Sequence, residues 1–195
     1  MIKAIDITIL PPDEIMDLSI EVSKKVVGPG RIQLNKRNQL PHITLLFGGV
    51  EEDDLSQVWE IVSDVCQSFG PLELEIPDIR YASSTGLHIT RSDKLVSLHN
   101  KLVESVSPLM SYDVSVGNYK APESVLEIST SWVNNFLQNS SGENYDPHMT
   151  IGDGELQKED YPNLPIKFIA DRIALCHLGN LCTCAEILFE TKLEK

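Results

Sequence analysis

Ile5, Ile7 and Ile9 take alternate positions in a β-rich stretch, Ile2 to Leu10, and predict an N-terminal strand. Pro11-Pro12-Asp13-Glu14 reads as a helix start, and the stripe Ile15, Leu18, Val22, Val26 predicts a helix stopping at Gly28. Gly28 to Asn38 is a polar, basic loop. Leu55, Val58, Trp59, Val62, Val65, Cys66 and Phe69 keep a three-four spacing between Asp53-Asp54 and Gly70, the clearest helix in the chain. Leu72 to Tyr81 and Gly86 to Thr90 predict strands. Ser92 caps a further helix striped by Leu95, Leu98, Leu102, Val103 and Val106. Within residues 111–141 the pattern is weaker; it predicts a strand at Val125 to Ile128 and a short helix at Trp132 to Leu137. The end predicts a hairpin, Phe168 to His177 and Leu181 to Leu193, turning at Gly179-Asn180. Strands and helices alternate twice without a linker or low-complexity stretch. Residues 1–195 therefore predict one α+β domain with two lobes.

One short pattern recurs in the two halves. Pro41-His42-Ile43-Thr44 opens an apolar run ending at Gly48, and Pro147-His148-Met149-Thr150 opens one ending at Gly152. In a strand, His42 and Thr44 project from one face, as do His148 and Thr150, about 7 Å apart along the strand. The preceding prolines sit at the first residues of a strand, where a missing amide donor is tolerated. Two such strands facing across a cleft would surround a small space with two imidazoles and two hydroxyls. That set suits phosphodiester chemistry. One imidazole can accept a proton from water while the other, as a cation, donates to the leaving oxygen. The threonines can hydrogen-bond the non-bridging oxygens, where charge accumulates.

Charge narrows the partner. Sixteen basic against twenty-nine acidic side chains give a formal charge of −13, the opposite of the balance that favours long polyanions. A small phosphorylated ligand held by local groups is compatible with it. The first residues lack the features of a signal peptide, and no apolar run is long enough to span a membrane. Four cysteines without a secretion signal are expected as reduced cytosolic thiols. The carboxylate-rich ligand sets that magnesium or manganese need are not placed beside either motif.

The paired motifs, in this order of elements, resemble the two-histidine (2H) phosphoesterase superfamily, which includes the 2′-5′ RNA ligases and RNA 2′,3′-cyclic phosphodiesterases. The resemblance covers most of the chain. It implies two lobes of antiparallel sheet with outer helices, related by a pseudo-twofold axis, with the active site in a central cleft. It implies a cytoplasmic, monomeric hydrolase in which His42 and His148 are catalytic and Thr44 and Thr150 bind substrate, with no metal and no cofactor. The implied partner is a small nucleotide or an RNA terminus carrying a 2′,3′-cyclic phosphate, and neither DNA nor a membrane. Alternatives are a 2′-5′ phosphodiesterase or RNA ligase, an RNA 3′-end processing enzyme, and a catalytically silent nucleotide-binding module. Against the family spacing, residues 111–141 read as an insertion.

Other residues carry weaker signals. A third His-x-Thr, His88-Ile89-Thr90, lacks the proline and is expected to be structural. His99 lies on a helical stripe and is expected as a satisfied boundary residue. Cys176, His177, Cys182 and Cys184 invite a zinc reading. A turn at Gly179-Asn180, however, would set Cys176 on the opposite face from the other three. Arg31, Lys36 and Arg37 suit a solvated loop better than a phosphate site, and Tyr145 could either stack on a base or pack.

Overall fold

The computed structural model describes residues 1–194. Four strands, β1 (Ile2–Leu10), β2 (Ile43–Glu51), β8 (Arg172–Leu178) and β9 (Cys184–Lys192), form an antiparallel sheet in the order β2-β1-β8-β9. The second lobe has an antiparallel sheet of β4 (Ile79–Tyr81), β5 (Thr85–His88) and β6 (His148–Gly152), together with the pair β3 (Leu72–Ile76) and β7 (Ile166–Ala170). Each Pro-His-apolar-Thr motif therefore runs into an edge strand, β2 in one lobe and β6 in the other.

Helices cover the sheets from outside. Ile5, Ile7 and Ile9 of β1 are fully buried in one cluster with Val58 and Val62 of α2 (Leu55–Cys66) and Leu98 and Leu102 of α3 (Asp93–Val106). Burial of each such side chain is worth roughly 1.5–3 kcal/mol. Trp59 of α2 stacks on Phe189 of β9 at 5.5 Å, and Ser92 Oγ caps α3 by accepting from the Leu95 amide. The helix α1 (Asp13–Ser23) crosses to the other lobe and packs on β6. Gly152 permits that crossing, since a Cβ there would lie 2.6 Å from Val26 Cγ1. The helix that follows the first strand of one lobe thus closes the other.

Both motif strands bulge at the same place. Ile7 pairs with Leu46 and Thr8 with Thr44, so Leu45 is an extra residue; Gly86 pairs with Thr150 and Thr85 with Gly152, so Ile151 is extra. Each bulge falls on the residue after His-x-Thr, and a bulge shifts the phase of the strand. Leu45 and Leu46 both point into the core, while Thr44 and Phe47, on opposite faces of a regular strand, both face the cleft. The cost is backbone left out of the ladder. His99 Nδ1–H donates to Leu45 O at 2.7 Å, the Gly142 amide donates to His99 Nε2 at 3.1 Å, and Tyr145 OH donates to Thr44 O at 3.0 Å. The two rings stack at 3.8 Å with planes 2° apart. His99 is thus wholly buried rather than at a boundary, and Tyr145 packs.

The structure corrects several other expectations. Leu72 to Tyr81, expected as one strand, is broken at Pro77-Asp78 into β3, which pairs with β7, and β4, which pairs with β5. The first helix ends at Ser23, short of Val26 and Gly28. The strand at Val125 to Ile128 is absent: α4 (Glu127–Asn134) begins there, burying Ser129, Thr130 and Val133 while Ile128 faces solvent, and α5 (Phe136–Asn139) follows. Residues 166–178 make two strands broken at Asp171, so β7 joins β3 in the second lobe and only β8 remains in the hairpin. Finally, Cys176 and Cys184 are joined as a disulfide, with Cα atoms 5.6 Å apart. The turn is centred on Leu181 rather than between Gly179 and Asn180, so Leu178 pairs with Cys184, and Cys176, two residues along β8, shares that face. Cys66 and Cys182 are free and buried.

His99→Leu keeps the bulk of the side chain but leaves Leu45 O and the Gly142 amide without partners. Each buried unpaired group costs about 1–3 kcal/mol, so a loss of about 2–5 kcal/mol is expected in urea unfolding. A loss below about 1 kcal/mol would show that the bulge needs no brace.

Candidate active site

The two edge strands meet across a cavity of about 460 Å³ lined by His42, Thr44, His148 and Thr150. All four residues singled out in the paired motifs are therefore brought together. His88 and Thr90 are not. His88 sits opposite His148 in the β5–β6 ladder, and its Nδ1 lies 3.0 Å from Asp78 Oδ1. Thr90 is exposed beyond the strand. Arg31 is held by Asp153 at 2.6 Å and Lys36 by Asp17 at 2.7 Å, and neither they nor Arg37 line the cavity. The zinc reading also dissolves, because two of its four residues are bonded to each other and His177 Nε2–H donates to Asn118 O at 3.0 Å.

The motif prolines set the imidazoles. His42 Nδ1 lies 2.7 Å from the carbonyl of Leu40, and His148 Nδ1 lies 2.7 Å from the carbonyl of Asp146. Each bond spans the intervening proline, whose φ is confined by its ring. A carbonyl oxygen can only accept, so Nδ1 carries the proton in both rings, and Nε2 is the nitrogen left to exchange one.

Electrostatics differ at the two rings. Burial pushes both imidazoles below their ordinary value; for His148 the guanidinium of Arg80 adds to it, and the pKa falls to about 4. Arg80 is anchored by Asp146, the residue whose carbonyl also holds His148. A charge on His42 further disfavours one on His148. At rest, both rings are neutral at physiological pH. Beside His42 lies Asp6, wholly buried, with its Oδ2 3.0 Å from Thr44 Oγ1 and 3.5 Å from His42 Nε2.

Several residues in or behind the cavity had no sequence signal. Arg80 is one cation among sixteen. Asp6 alternates with isoleucines, as a solvent-facing residue of a strand would, but β1 lies inside its sheet and both its faces are covered. Trp132, Phe136, Asn139 and Ser140 come from the segment read as an insertion, and with Ile32, Leu34 and Phe47 they form a largely apolar wall. Phe136 meets Phe47 edge-on at 5.3 Å. The β8–β9 turn closes the rim, with Leu181 and Cys182 both in the left-handed region at φ 53° and 54°. Two such residues cost about 1–3 kcal/mol each, and the Leu181 amide is pinned by Ser129 Oγ of α4 at 2.9 Å.

Both the sequence and the fold have known counterparts. The sequence model of the 2′-5′ RNA ligase superfamily matches residues 29–179. No curated protein matches the chain in sequence. Among solved structures, one described as a phosphoesterase is 15% identical, with both chains covered in full and a TM-score of 0.61. LigT of E. coli complexed with 3′-AMP is 13% identical, again with full coverage of both, at a TM-score of 0.57. A protein of Thermus thermophilus is 16% identical over 97% of each chain, at a TM-score of 0.58. At these identities the likeness is one of fold.

Replacing Arg80 with glutamine removes the cation beside His148, so the His148 pKa should rise from about 4 toward the ordinary value while His42 responds less. Ring-nitrogen NMR titration reads both the shift and the Nδ1–H tautomer. An unmoved His148 would mean that burial alone holds the ring neutral.

Proposed function

The chain belongs to the 2′-5′ RNA ligase superfamily of phosphoesterases, and from that premise we propose that it is a metal-independent phosphodiesterase that opens 2′,3′-cyclic phosphates on nucleotides or RNA ends to monoesters. The observation that carries the reading is the matched pair of imidazoles, each with Nδ1 tied to a backbone carbonyl and Nε2 free, on opposite walls of one cavity.

In this reading one Nε2 accepts a proton from water as its oxygen attacks phosphorus. The other, as a cation, protonates the ribose oxygen that leaves. Charge gathering on the non-bridging oxygens meets the threonine hydroxyls and Arg80. The apolar wall of Trp132, Phe136 and Phe47 suits the nucleoside, and a cavity of about 460 Å³ suits a nucleotide or a chain end more than a long duplex. Solved structures of E. coli LigT hold 3′-AMP and ATP, which supports a nucleotide-sized ligand here. The same two proton-transfer groups would serve a 2′-5′ linkage.

Turnover of a panel of 2′,3′-cyclic nucleotides, cyclic-phosphate-ended RNA and 2′-5′ dinucleotides in EDTA should be greatest on the cyclic phosphates. His42→Ala and His148→Ala should each lower kcat about 10²–10⁴-fold with circular dichroism unchanged. Near-wild-type rates in either variant would refute the two-histidine assignment.

Both rings are neutral in the free protein, and the bound phosphate anion favours a cation beside it. The alkaline limb of kcat, which reports the complex, should therefore lie at higher pH than that of kcat/KM, which reports the free enzyme. A kcat that kept climbing beyond about pH 9 would point to hydroxide or a metal-bound water.

A further inference from the structure

Thr44 and Thr150 occupy matching places in the two motifs, but their hydroxyls are not equivalent. Thr150 Oγ1 faces the cavity with no partner among the described residues. Thr44 Oγ1 is bonded to Asp6 Oδ2 at 3.0 Å. A hydroxyl has one proton. If Asp6 is a carboxylate, Thr44 must spend that proton on it and can offer a phosphate oxygen only lone pairs. If Asp6 carries a proton on Oδ2, the bond reverses: the carboxyl donates to Thr44 Oγ1, and the Thr44 proton is free to point into the cleft.

We propose that Asp6 is a positioning residue whose neutral carboxyl donates to Thr44 and so aims the Thr44 hydroxyl at the phosphate oxygens of the substrate. This rests on the phosphoesterase reading of the cleft.

The surroundings favour the neutral acid. Asp6 is wholly buried, and its Oδ1 has no hydrogen-bond partner, a poor setting for a charge that wants several donors. No lysine or arginine pairs with it among the described residues. The groups that face it are His42 just before β2, Thr44 on it, Tyr145 from the loop before β6 and Cys182 from the β8–β9 turn. On β8 its ladder partner Cys176 is in the disulfide. Tyr145 and Cys182 are both pushed upward by burial and stay neutral, and His42 Nε2 at 3.5 Å is beyond good hydrogen-bond range. Desolvation in turn holds the Asp6 carboxyl well above the usual carboxylate range, with the Thr44 bond pulling weakly the other way.

Two experiments test this, one of which needs no turnover. In protein with carboxyl-13C aspartate, the Asp6 resonance, identified by its loss in D6N, should keep the chemical shift of a protonated acid at pH 7. A carboxylate shift at pH 7 would overturn the proposal, whatever the enzyme's substrate proves to be. The second is kinetic, on a 2′,3′-cyclic nucleotide that the wild type turns over. In D6N the amide can donate to Thr44 as the neutral acid does, so kcat should stay within about threefold of wild type. Asp6→Ala and Thr44→Val should each lower kcat about tenfold with KM little changed, and together no further. A D6N variant as slow as Asp6→Ala, or losses that multiply in the double variant, would assign Asp6 a role other than aiming Thr44. If Asp6→Ala does not fold, the carbon resonance and the near-isosteric D6N still decide.

Discussion

The site depends on one bond made twice: an imidazole Nδ1–H donated to the carbonyl two residues back, across a proline. Without it, His42 and His148 would each have two tautomers and a freely turning ring, and neither Nε2 would be presented in a defined direction. Proline is suited to the middle place. It confines its own φ and has no amide to compete, so the carbonyl before it and the ring after it are held together at the entry to each strand. The two halves repeat this to within the bulge that follows it, and that repetition brings two like groups to opposite walls of one cavity.

The bulges explain much of the packing around them. A strand that must show His42, Thr44 and Phe47 to the cleft while burying Leu45 and Leu46 has to change phase. In β2 the carbonyls beside the change are satisfied by a stacked His99 and Tyr145, which are themselves reached from α3 and from the loop that leads into the second motif. One lobe's bulge is therefore stabilised in part by Tyr145, which arrives with the other lobe's motif. The crossing of α1 onto β6 links the lobes a second time.

Electrostatics separates the two otherwise similar halves. His148 has a cation beside it, Arg80, and His42 has a buried carboxyl, Asp6. The formal charge of −13 does not describe this interior, because most of the acids lie on the surface, where water screens them. Within the cleft a few groups at short range decide the protonation of the rings, and an anion bound there would change that balance.

The sequence alone determined most of the elements that line the cleft and their order. Strict alternation in Ile5, Ile7 and Ile9, the three-four stripe of Leu55 to Cys66, the Ser92 cap and the paired Pro-His-apolar-Thr are local patterns, and local backbone physics reads them. It also placed His42, Thr44, His148 and Thr150, since a strand's two-residue period puts the members of each pair on one face. What it could not supply depends on neighbours far along the chain. Nothing in the local pattern marks Asp6 as buried, because strand order in the sheet, and so burial of its second face, is set by β8 and β2. Arg80, Trp132 and Phe136 reach the cleft only through tertiary packing. The strand expected at Val125 to Ile128 became a helix because the burial of Ser129, Thr130 and Val133 outweighs a short β-prone run. The Cys176–Cys184 pair depends on a turn centred on Leu181, and the register it sets is a property of two strands together, which no single stretch of sequence encodes.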